Sequence, residues 1–388
     1  MKDWKIDTLA THLAQVGSPG PVVDPIAVSS TYTLKDVKEG ARFAQEKAPT
    51  TFYSRWGTPT NRLLENAVAA LEGGSYAIAT ASGMGAISSA LLAMIGKGSH
   101  IVSGKSLYTA TTEMMIRHLP RFGVKTSFVD PSREGAFEEA VKEGTSLIYL
   151  ETPANPTMLI TDISEAVRAA REVGAVVLAD NTFATPINQR PLELGVDVVL
   201  HSATKYLGGH SDVIGGVIVT RERELFERIW ETYKLLGPTL GAVDAFLINR
   251  GIRTLPLRVR RHNQIAQALA EFLEGHPMVS QVYYPGLRSF SQYDLARKQM
   301  KGMGGMLSIE LKGGYDAAVA LVEGLEVGRL AVSLGGVETL VEHAASMTHG
   351  PLTRKERRAA GISEGLVRVS VGLEDLEDLK EDFDQALR

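Results

Sequence analysis

Lys205 is the residue of this 388-residue chain whose setting first suggests covalent chemistry. It follows a short apolar run at residues 196–200, and small, hydroxyl-bearing and glycine residues surround it. That pattern is typical of a buried strand that ends in a turn. Burial favours the neutral form of an amine, and a neutral amine is the nucleophile that forms a Schiff base with an aldehyde. A solvated surface lysine is the simpler interpretation when Lys205 is considered alone.

Asp180 lies 25 residues before Lys205 and strengthens the chemical interpretation. It ends another apolar run, at residues 175–179. The carboxyl ends of parallel strands gather at one edge of an open α/β sheet, so both side chains are expected there. An aldehyde cofactor with a pyridinium ring needs a lysine for its imine and a carboxylate beside its ring nitrogen. The two residues therefore predict a pyridoxal 5′-phosphate (PLP) site, although Asp180 alone is equally well explained as a cap on the following turn.

A turn of small residues, Ser82-Gly83-Met84-Gly85, precedes an apolar helix pattern. Free N–H groups at the start of a helix bind phosphate well, because they lie at the positive end of the helix dipole. The same turn matches part of the dinucleotide-binding fingerprint, but the third glycine is absent and no acidic residue closes a first βαβ unit. The turn therefore predicts a phosphate site and is a poor match to a dinucleotide site.

Strand and helix patterns alternate from residue 61 onward, and these elements must position the residues named above. Helices are predicted at residues 61–71, 110–119 and 137–142, with another that begins at Ser82-Gly83. Strands are predicted at residues 76–81, 100–103, 125–129, 146–150, 176–179 and 196–200. Such alternation indicates a mostly parallel sheet that is covered on both faces. The residues that could do chemistry follow these strands, as expected for a site at the edge of such a sheet.

The chain divides by pattern into three parts. Residues 1–57 form an arm, with a helix at residues 8–16, and so small an apolar content predicts that the arm lies on a neighbouring subunit. Residues 58–240 form the α/β domain, and a break at residues 237–241 marks the expected hinge. Residues 241–388 form a smaller α+β domain. Its predicted helices and strands cover residues 263–273, 279–284, 305–311, 315–325, 366–370 and 373–387.

Composition excludes several classes of protein. The net charge is −4, and no run of basic residues marks a nucleic-acid face. No apolar window approaches the ~18 residues of a membrane span, and the first residues lack the apolar core of a signal peptide. The chain has no cysteine, which excludes disulfides and thiolate chemistry. We therefore expect a cytoplasmic protein that binds neither nucleic acid nor membranes.

The segment Ser202-Ala-Thr-Lys205-Tyr-Leu-Gly-Gly-His210-Ser-Asp212 resembles the cofactor-lysine signature of the Cys/Met-metabolism (transsulfuration) enzymes. Those enzymes depend on PLP and have the aspartate-aminotransferase fold, known as fold type I. Further matches occur in the family's order from the arm to the last strand. They are Tyr53-Ser-Arg55, Ser82-Gly83-Met84, Glu151-Thr-Pro-Ala-Asn155-Pro, Asp180-Asn-Thr-Phe, Ser333-Leu-Gly-Gly336 and Leu366-Val-Arg368-Val-Ser-Val-Gly.

The resemblance implies a role in cofactor binding for nine residues. Lys205 is implied to carry the cofactor as a Schiff base and to move protons between substrate carbons once released, and Asp180 to pair with the pyridine nitrogen. Tyr108 is implied to stack on the ring, although an ordinary aromatic at a strand end is the simpler interpretation of that residue alone. The phosphate is implied to be bound within the subunit by Gly83, Met84, Ser202 and Thr204, and from the neighbouring subunit by Tyr53 and Arg55.

The resemblance also implies a substrate site and an assembly. Arg368 is implied to bind the substrate carboxylate as a bidentate pair, with help from Asn155 and Ser333. Because Tyr53 and Arg55 are implied to serve a neighbouring site, at least a dimer is required, and the family implies a homotetramer made of two active dimers. No metal is expected.

The reaction expected from the resemblance is γ-elimination from a sulfur amino acid, cystathionine or methionine, which gives an α-keto acid, ammonia and a thiol. The alternative is γ-replacement, as in a cystathionine γ-synthase or an O-acylhomoserine sulfhydrylase. Methionine γ-lyases usually have glycine and cysteine directly after the stacking tyrosine, whereas this chain has Thr109 and Ala110. That difference counts against a strict methionine γ-lyase.

Three other classes remain open at this point. An NAD-dependent oxidoreductase would use the turn at Gly83, but it leaves Lys205 and Asp180 without a function. A metal hydrolase would use His201, His210 and Asp212, whose spacing is not that of a common zinc site. A non-catalytic binding protein of the same fold is disfavoured, because both partners of the cofactor pair are present.

Overall fold

The computed structural model describes residues 4–12 and 20–388. Elements are numbered in chain order. The helices are α1 Ile6–His12, α2 Val37–Gln45, α3 Pro59–Glu72, α4 Gly83–Met94, α5 Thr109–Glu113, α6 Ala136–Ala140, α7 Ile163–Val173, α8 Thr185–Asn188, α9 Arg223–Leu236, α10 Ala242–Ile252, α11 Leu255–Glu274, α12 Tyr293–Gln299, α13 Gly314–Gly324, α14 Arg354–Ala359 and α15 Leu376–Ala386. The strands are β1 Tyr76–Thr80, β2 His100–Gly104, β3 Lys125–Val129, β4 Thr145–Glu151, β5 Val176–Asp180, β6 Val198–Ser202, β7 Gly216–Thr220, β8 Val279–Tyr283, β9 Met306–Leu311, β10 Arg329–Leu330, β11 Leu340–His343 and β12 Leu366–Ser370.

The larger sheet has seven strands in the order β1-β7-β6-β5-β4-β2-β3. Strands β3, β2, β4, β5 and β6 pair in parallel, and β7 runs antiparallel between β6 and β1. The expectation of a mostly parallel sheet is therefore confirmed. The sequence analysis missed β7, which is short and follows a glycine-rich turn.

Both faces of the larger sheet are buried, because alternate residues of each central strand point to opposite sides. On β4, for example, Ile148 and Leu150 belong to one apolar cluster while Leu147 and Tyr149 belong to another. Helices cover both clusters. Strands buried on two faces lack polar alternation, which is why they appear in the sequence as continuous apolar runs.

The second sheet lies in the C-terminal part and has five strands in the order β10-β11-β12-β9-β8. Its pairs are antiparallel apart from β10 with β11. Helices α11 and α13 pack on it, α15 packs on these two helices, and all three contribute to a third apolar cluster. The prediction of a smaller α+β region is confirmed, although β10 and β11 were missed.

Several predicted helices have different bounds in the structure. The helix predicted at residues 110–119 is the short α5, which continues into a π-helical turn at Met114–His118. The helix predicted at 263–273 is the second half of α11. Of the helix predicted at 8–16, residues 8–12 lie in α1, and residues 13–16 lie outside the described residues. Within residues 4–12 and 20–388, none of the helices has the length and apolar character needed to cross a membrane.

Candidate active site

The carboxyl ends of β4, β5 and β6 lie side by side and carry three polar side chains. Glu151 ends β4, Asp180 ends β5 and Ser202 ends β6. Glu151 and Asp180 are direct neighbours in the parallel register. Lys205 follows Ser202 in a tight turn, in which the Lys205 N–H donates to the Ser202 carbonyl over 3.2 Å. The predicted convergence at one sheet edge follows from these adjacent strand ends.

Asp180 and Glu151 form a buried pair of carboxyl groups. Burial raises the pKa of Asp180, while hydrogen bonds from Thr182 act in the opposite direction. Burial, together with the negative charge of Asp180, raises the pKa of Glu151 to about 8. The Glu151 oxygens accept the N–H groups of Tyr108 at 2.8 Å and Asn155 at 3.1 Å. Glu151 therefore holds the backbone of two predicted site residues, a role that the sequence analysis did not assign.

Lys205 is joined to the C-terminal part through Ser333. Its Nζ donates a hydrogen bond to Ser333 Oγ over 2.6 Å. Burial, together with the positive charge of Arg368, lowers the pKa of Lys205 to about 8, and Glu342 acts in the opposite direction. A pKa near 8 gives this amine a much larger neutral fraction at physiological pH than a surface lysine has.

The segment that contains Ser333 lies unusually close to the lysine turn. Ser333 itself has a left-handed backbone with φ of +82°, a conformation that non-glycine residues adopt only when their surroundings enforce it. Gly335 also has a left-handed backbone, and a Cβ there would come within 2.7 Å of the Tyr206 nitrogen. Glycine at this position thus allows the segment to contact the backbone beside Lys205.

Arg368 lies in the middle of β12 and is buried. Its Nη1 donates to Asn155 Oδ1 over 3.0 Å and lies 3.0 Å from Glu342 Oε1, and its Nη2 donates to the Ser333 carbonyl over 2.7 Å. Its Nε has no hydrogen-bond partner among the described residues. Burial lowers the pKa of Arg368, and Glu342 opposes that effect. The edge formed by Nε and Nη2 thus keeps unused donors, which is the arrangement a bidentate carboxylate requires.

The residues predicted to bind phosphate lie at the start of α4. Ser82 caps the helix by accepting the Gly85 N–H over 3.0 Å, which leaves the N–H groups of Gly83 and Met84 ahead of the first helical hydrogen bonds. A Cβ on Gly83 would come within 2.9 Å of the Ser202 Cβ, so this helix start packs directly on the end of β6. The Thr204 hydroxyl donates to the Gly215 carbonyl over 3.2 Å, so its single proton is already used.

Three of the predicted site residues, Tyr108, Tyr53 and Arg55, lie nearer the surface. Tyr108 precedes α5 and is 44% exposed, and its backbone N–H is held by Glu151. Tyr53 is also 44% exposed, and its ring lies 5.5 Å from the Arg55 guanidinium. Arg55 Nη1 donates to the Lys234 carbonyl at the end of α9. The structure therefore ties Tyr108 to the end of β4. Tyr53 and Arg55 form an exposed pair, and the Arg55 carbonyl accepts from Thr239, which pairs with Thr80 at the end of β1.

The histidines of the metal-hydrolase alternative face different partners. His201 Nε2 lies 2.6 Å from Glu72 Oε1, and both side chains are fully buried. His210 Nδ1 instead contacts the Gly208 carbonyl at 2.9 Å. In the part of the chain that the structure describes, no group of three or more His, Cys, Asp or Glu residues could hold a metal ion. His201 and His210 therefore do not form the joint site which that alternative needs.

The donor set fits PLP. A buried amine of lowered pKa suits an aldehyde, and a buried carboxylate suits a protonated ring nitrogen. The free N–H groups at the start of α4 suit a phosphate. These three features are supplied from the ends of β5 and β6 and from the start of α4, which packs on the end of β6, by Lys205, Asp180, Gly83, Met84 and Ser202.

Comparisons with known proteins agree with this geometry. The model of the Cys/Met metabolism PLP-dependent enzyme family matches residues 7–388. L-methionine gamma-lyase of Fusobacterium nucleatum subsp. nucleatum is 46% identical over 392 residues, covering 100% of this chain and 99% of that protein. Cystathionine gamma-lyase of Bacillus subtilis is 42% identical over 385 residues, covering 99% of each. The solved structure of cystathionine gamma synthase from Xanthomonas oryzae pv. oryzae matches with a TM-score of 0.93 at 40% identity, covering 99% of this chain and 98% of that one.

Proposed function

Because the chain belongs to the Cys/Met metabolism PLP-dependent enzyme family, we propose that it cleaves the Cγ–sulfur bond of a sulfur amino acid, methionine or cystathionine, by γ-elimination. The products are an α-keto acid, ammonia and a thiol. Membership confirms PLP as the cofactor and fold type I as the architecture. The observation that carries the proposal is the unit formed by Lys205, Ser333 and Arg368, in which a buried amine is linked to a carboxylate-binding guanidinium.

We assign the cofactor contacts as follows. Lys205 binds the cofactor aldehyde, Asp180 pairs with the ring nitrogen and Tyr108 lies against the ring. The phosphate is held by Gly83, Met84 and Ser202, and by Thr204 once its hydroxyl turns from the Gly215 carbonyl towards the phosphate. When bound, PLP withdraws electrons from the substrate Cα and so makes its proton more acidic.

The residues of the chain then orient the substrate and move its protons. Arg368 binds the α-carboxylate through its free Nε edge, and the Asn155 side chain keeps the guanidinium in plane through Nη1. Lys205 Nζ accepts the proton from Cα and delivers it to a neighbouring carbon, a task for which a pKa near 8 is well matched. Ser333 Oγ orients that amine. Arg368 is buried and Lys205 and Ser333 are half-buried, which limits the access of water to the proton transfer.

We also propose that the chain assembles as a homotetramer made of two active dimers. We further propose that each chain consists of an arm at residues 1–57, an α/β domain at residues 58–240 and a C-terminal domain at residues 241–388. Tyr53 and Arg55 support the assembly, because both are exposed at the surface of their own subunit. Val22, Val28 and Val37 of the arm are each more than 75% exposed, which is costly unless another surface covers them. We assign Tyr53 and Arg55 to the phosphate of the neighbouring subunit.

Arg55→Ala tests this assignment. Loss of a charge-assisted hydrogen bond to phosphate is expected to weaken PLP binding about tenfold or more. Equilibrium dialysis measures this affinity, and sedimentation shows whether the assembly is kept. A fully active monomer at assay concentration contradicts the shared site, and so does unchanged PLP affinity of the variant. Arg42→Ala, which alters an exposed pair with Glu39 and Glu46, is the matched control.

The reaction is tested by recording the visible spectrum of the purified protein and then supplying substrates. Methionine and cystathionine are given alone, and O-acetylhomoserine is given with and without a thiol. We expect α-keto acid from methionine or cystathionine alone. The identities of the L-methionine gamma-lyase relatives favour methionine, whereas Thr109 and Ala110 after Tyr108 count against it. Absence of visible absorption after addition of PLP contradicts the proposal entirely.

The second candidate is γ-replacement. It is favoured by the match to cystathionine gamma synthase, which shares the fold over nearly the whole chain. Product that forms only when O-acetylhomoserine and a thiol are both present identifies this reaction. The two candidate reactions use the same contacts of Lys205 and Arg368. They differ in whether a nucleophile replaces the leaving group at Cγ.

A further inference from the structure

Glu342 is buried directly opposite Arg368. The two residues are cross-strand partners in the antiparallel register of β11 and β12. Glu342 Oε1 lies 3.0 Å from Arg368 Nη1, with side-chain exposures of 0% and 4%. The same oxygen accepts a hydrogen bond from Thr348 Oγ1 over 2.7 Å. Glu342 is therefore fixed on the side of the guanidinium that faces away from the free Nε edge.

The charges of Glu342 and Arg368 offset each other. Arg368 brings one positive charge and Glu342 one negative charge, and Lys205 adds a second positive charge only while its amine is protonated. Glu342 also opposes the effects that lower the pKa of Lys205 and of Arg368. An α-carboxylate that binds Arg368 therefore meets a guanidinium whose charge is already partly offset. Without Glu342, the buried guanidinium would attract a carboxylate more strongly, because its own charge would be uncompensated.

We propose that Glu342 is a positioning residue that limits the affinity of Arg368 for the α-carboxylate of amino acid ligands. It keeps Nη1 occupied, presents the Nε edge to the ligand and offsets part of the positive charge. This inference rests on the proposed function, since it assumes that Arg368 binds the α-carboxylate. Its consequence is that bound α-keto acid leaves more readily than it would from an unpaired arginine.

Glu342→Gln removes the negative charge of this side chain and keeps its size and shape. A glutamine Oε1 can still accept the hydrogen bond from Thr348 Oγ1 and stay beside Arg368 Nη1, so the position of the side chain is kept while its negative charge is lost. If Glu342 serves only to support the fold, its replacement leaves carboxylate binding unchanged or loosens it. If it limits affinity, binding becomes tighter. The direction of the change thus separates the two roles.

The test uses the holoenzyme and two ligands that cannot undergo γ-elimination. Norleucine carries an α-carboxylate, and n-pentylamine is the same molecule without it. Their dissociation constants are obtained by titrating the visible absorption of the bound cofactor. We expect Glu342→Gln to tighten norleucine binding by about 3- to 30-fold, the effect of one unit charge at this range. Binding of n-pentylamine should change less than twofold.

Glu65→Gln is the matched control, because Glu65 is also buried and paired with an arginine, Arg62, at 3.1 Å. It should leave both dissociation constants unchanged. If Glu342→Gln does not fold, Glu342→Asp decides, since it keeps the charge but draws it back from Arg368 and should tighten norleucine binding to a smaller extent. Norleucine binding that is unchanged or weaker in the folded variant overturns the inference. If the wild type binds norleucine no better than n-pentylamine, the carboxylate role of Arg368 fails, and the inference fails with it.

Discussion

The site contains two buried charged groups of opposite character. On one side, Asp180 and Glu151 end neighbouring strands of the larger sheet, and burial raises the pKa of both. On the other side, Lys205 and Arg368 come from different sheets, and burial lowers the pKa of both. Burial therefore disfavours the charged form of each of these four side chains.

The two pairs differ in the contacts that stabilise their charged forms. Hydrogen bonds from backbone N–H groups support the carboxyl pair, whereas Glu342 partly neutralises the cationic pair. The carboxyl side is prepared for a positively charged partner, which we assign to the cofactor ring nitrogen. The cationic side is prepared for a negatively charged partner, which we assign to the substrate carboxylate. In the proposed site the amino acid would thus lie between two sets of side chains of opposite charge.

The largest effect is expected at the cationic side from Lys205→Ala. This change removes both the cofactor attachment and the group that moves the proton, so activity should fall about 10³-fold or more. The visible absorption of the lysine-bound cofactor should be lost while the circular dichroism of the fold is retained. Turnover with unchanged absorption contradicts the role of Lys205. Lys97→Ala, in the loop between α4 and β2, provides a control.

Arg368→Lys is expected to have the next largest effect. Lysine keeps a positive charge beside Glu342 but cannot offer two parallel donors to a carboxylate. The ratio kcat/KM for the amino acid should fall about 10²- to 10³-fold. The visible spectrum should stay unchanged, because the cofactor contacts are elsewhere. If the variant instead loses cofactor while kcat/KM per bound cofactor is unchanged, Arg368 acts on the cofactor and not on the substrate. The assignments of the carboxyl side and the cationic side are then reversed.

The smallest effect concerns the carboxyl side and is seen in the cofactor-free protein. Burial raises the pKa of Glu151 from 4.5 to about 8, so between these values the folded state binds more protons than the unfolded state. The free energy of unfolding should therefore fall as the pH rises from about 5 to 8, by up to about 1.4 kcal/mol per pH unit for one proton. Glu151→Gln should flatten this part of the profile.

Lys205 should produce a slope of the opposite sign. Its pKa is lowered from 10.5 to about 8, so between these values the unfolded state binds more protons and stability should rise with pH. Denaturant titrations at a series of pH values measure both slopes. A Glu151→Gln profile identical to that of the wild type between pH 5 and 8 shows that Glu151 is not the titrating group.

Much of the larger sheet could be predicted, because each of its central strands is a continuous apolar run followed by polar residues. Asp180 and Lys205 were found in this way, and the resemblance added Tyr108 and Ser202. The second sheet was harder to predict. Its strand β11 is four residues long and includes Glu342 and His343, which gives it the composition of a polar loop. Only the cross-strand contact with Arg368 explains why Glu342 is buried there.

The sequence by itself determined the parallel sheet and the family and predicted the cofactor pair, since these depend on local patterns and on motifs that recur in order. Only the tertiary structure decided that Lys205 contacts Ser333, 128 residues away, and that Arg368 contacts Asn155, 213 residues away. It also decided that Glu342 pairs with Arg368 and that Glu151 supports Tyr108 and Asn155. No local pattern encodes such contacts, because they arise when two sheets of separate topology close around one cleft.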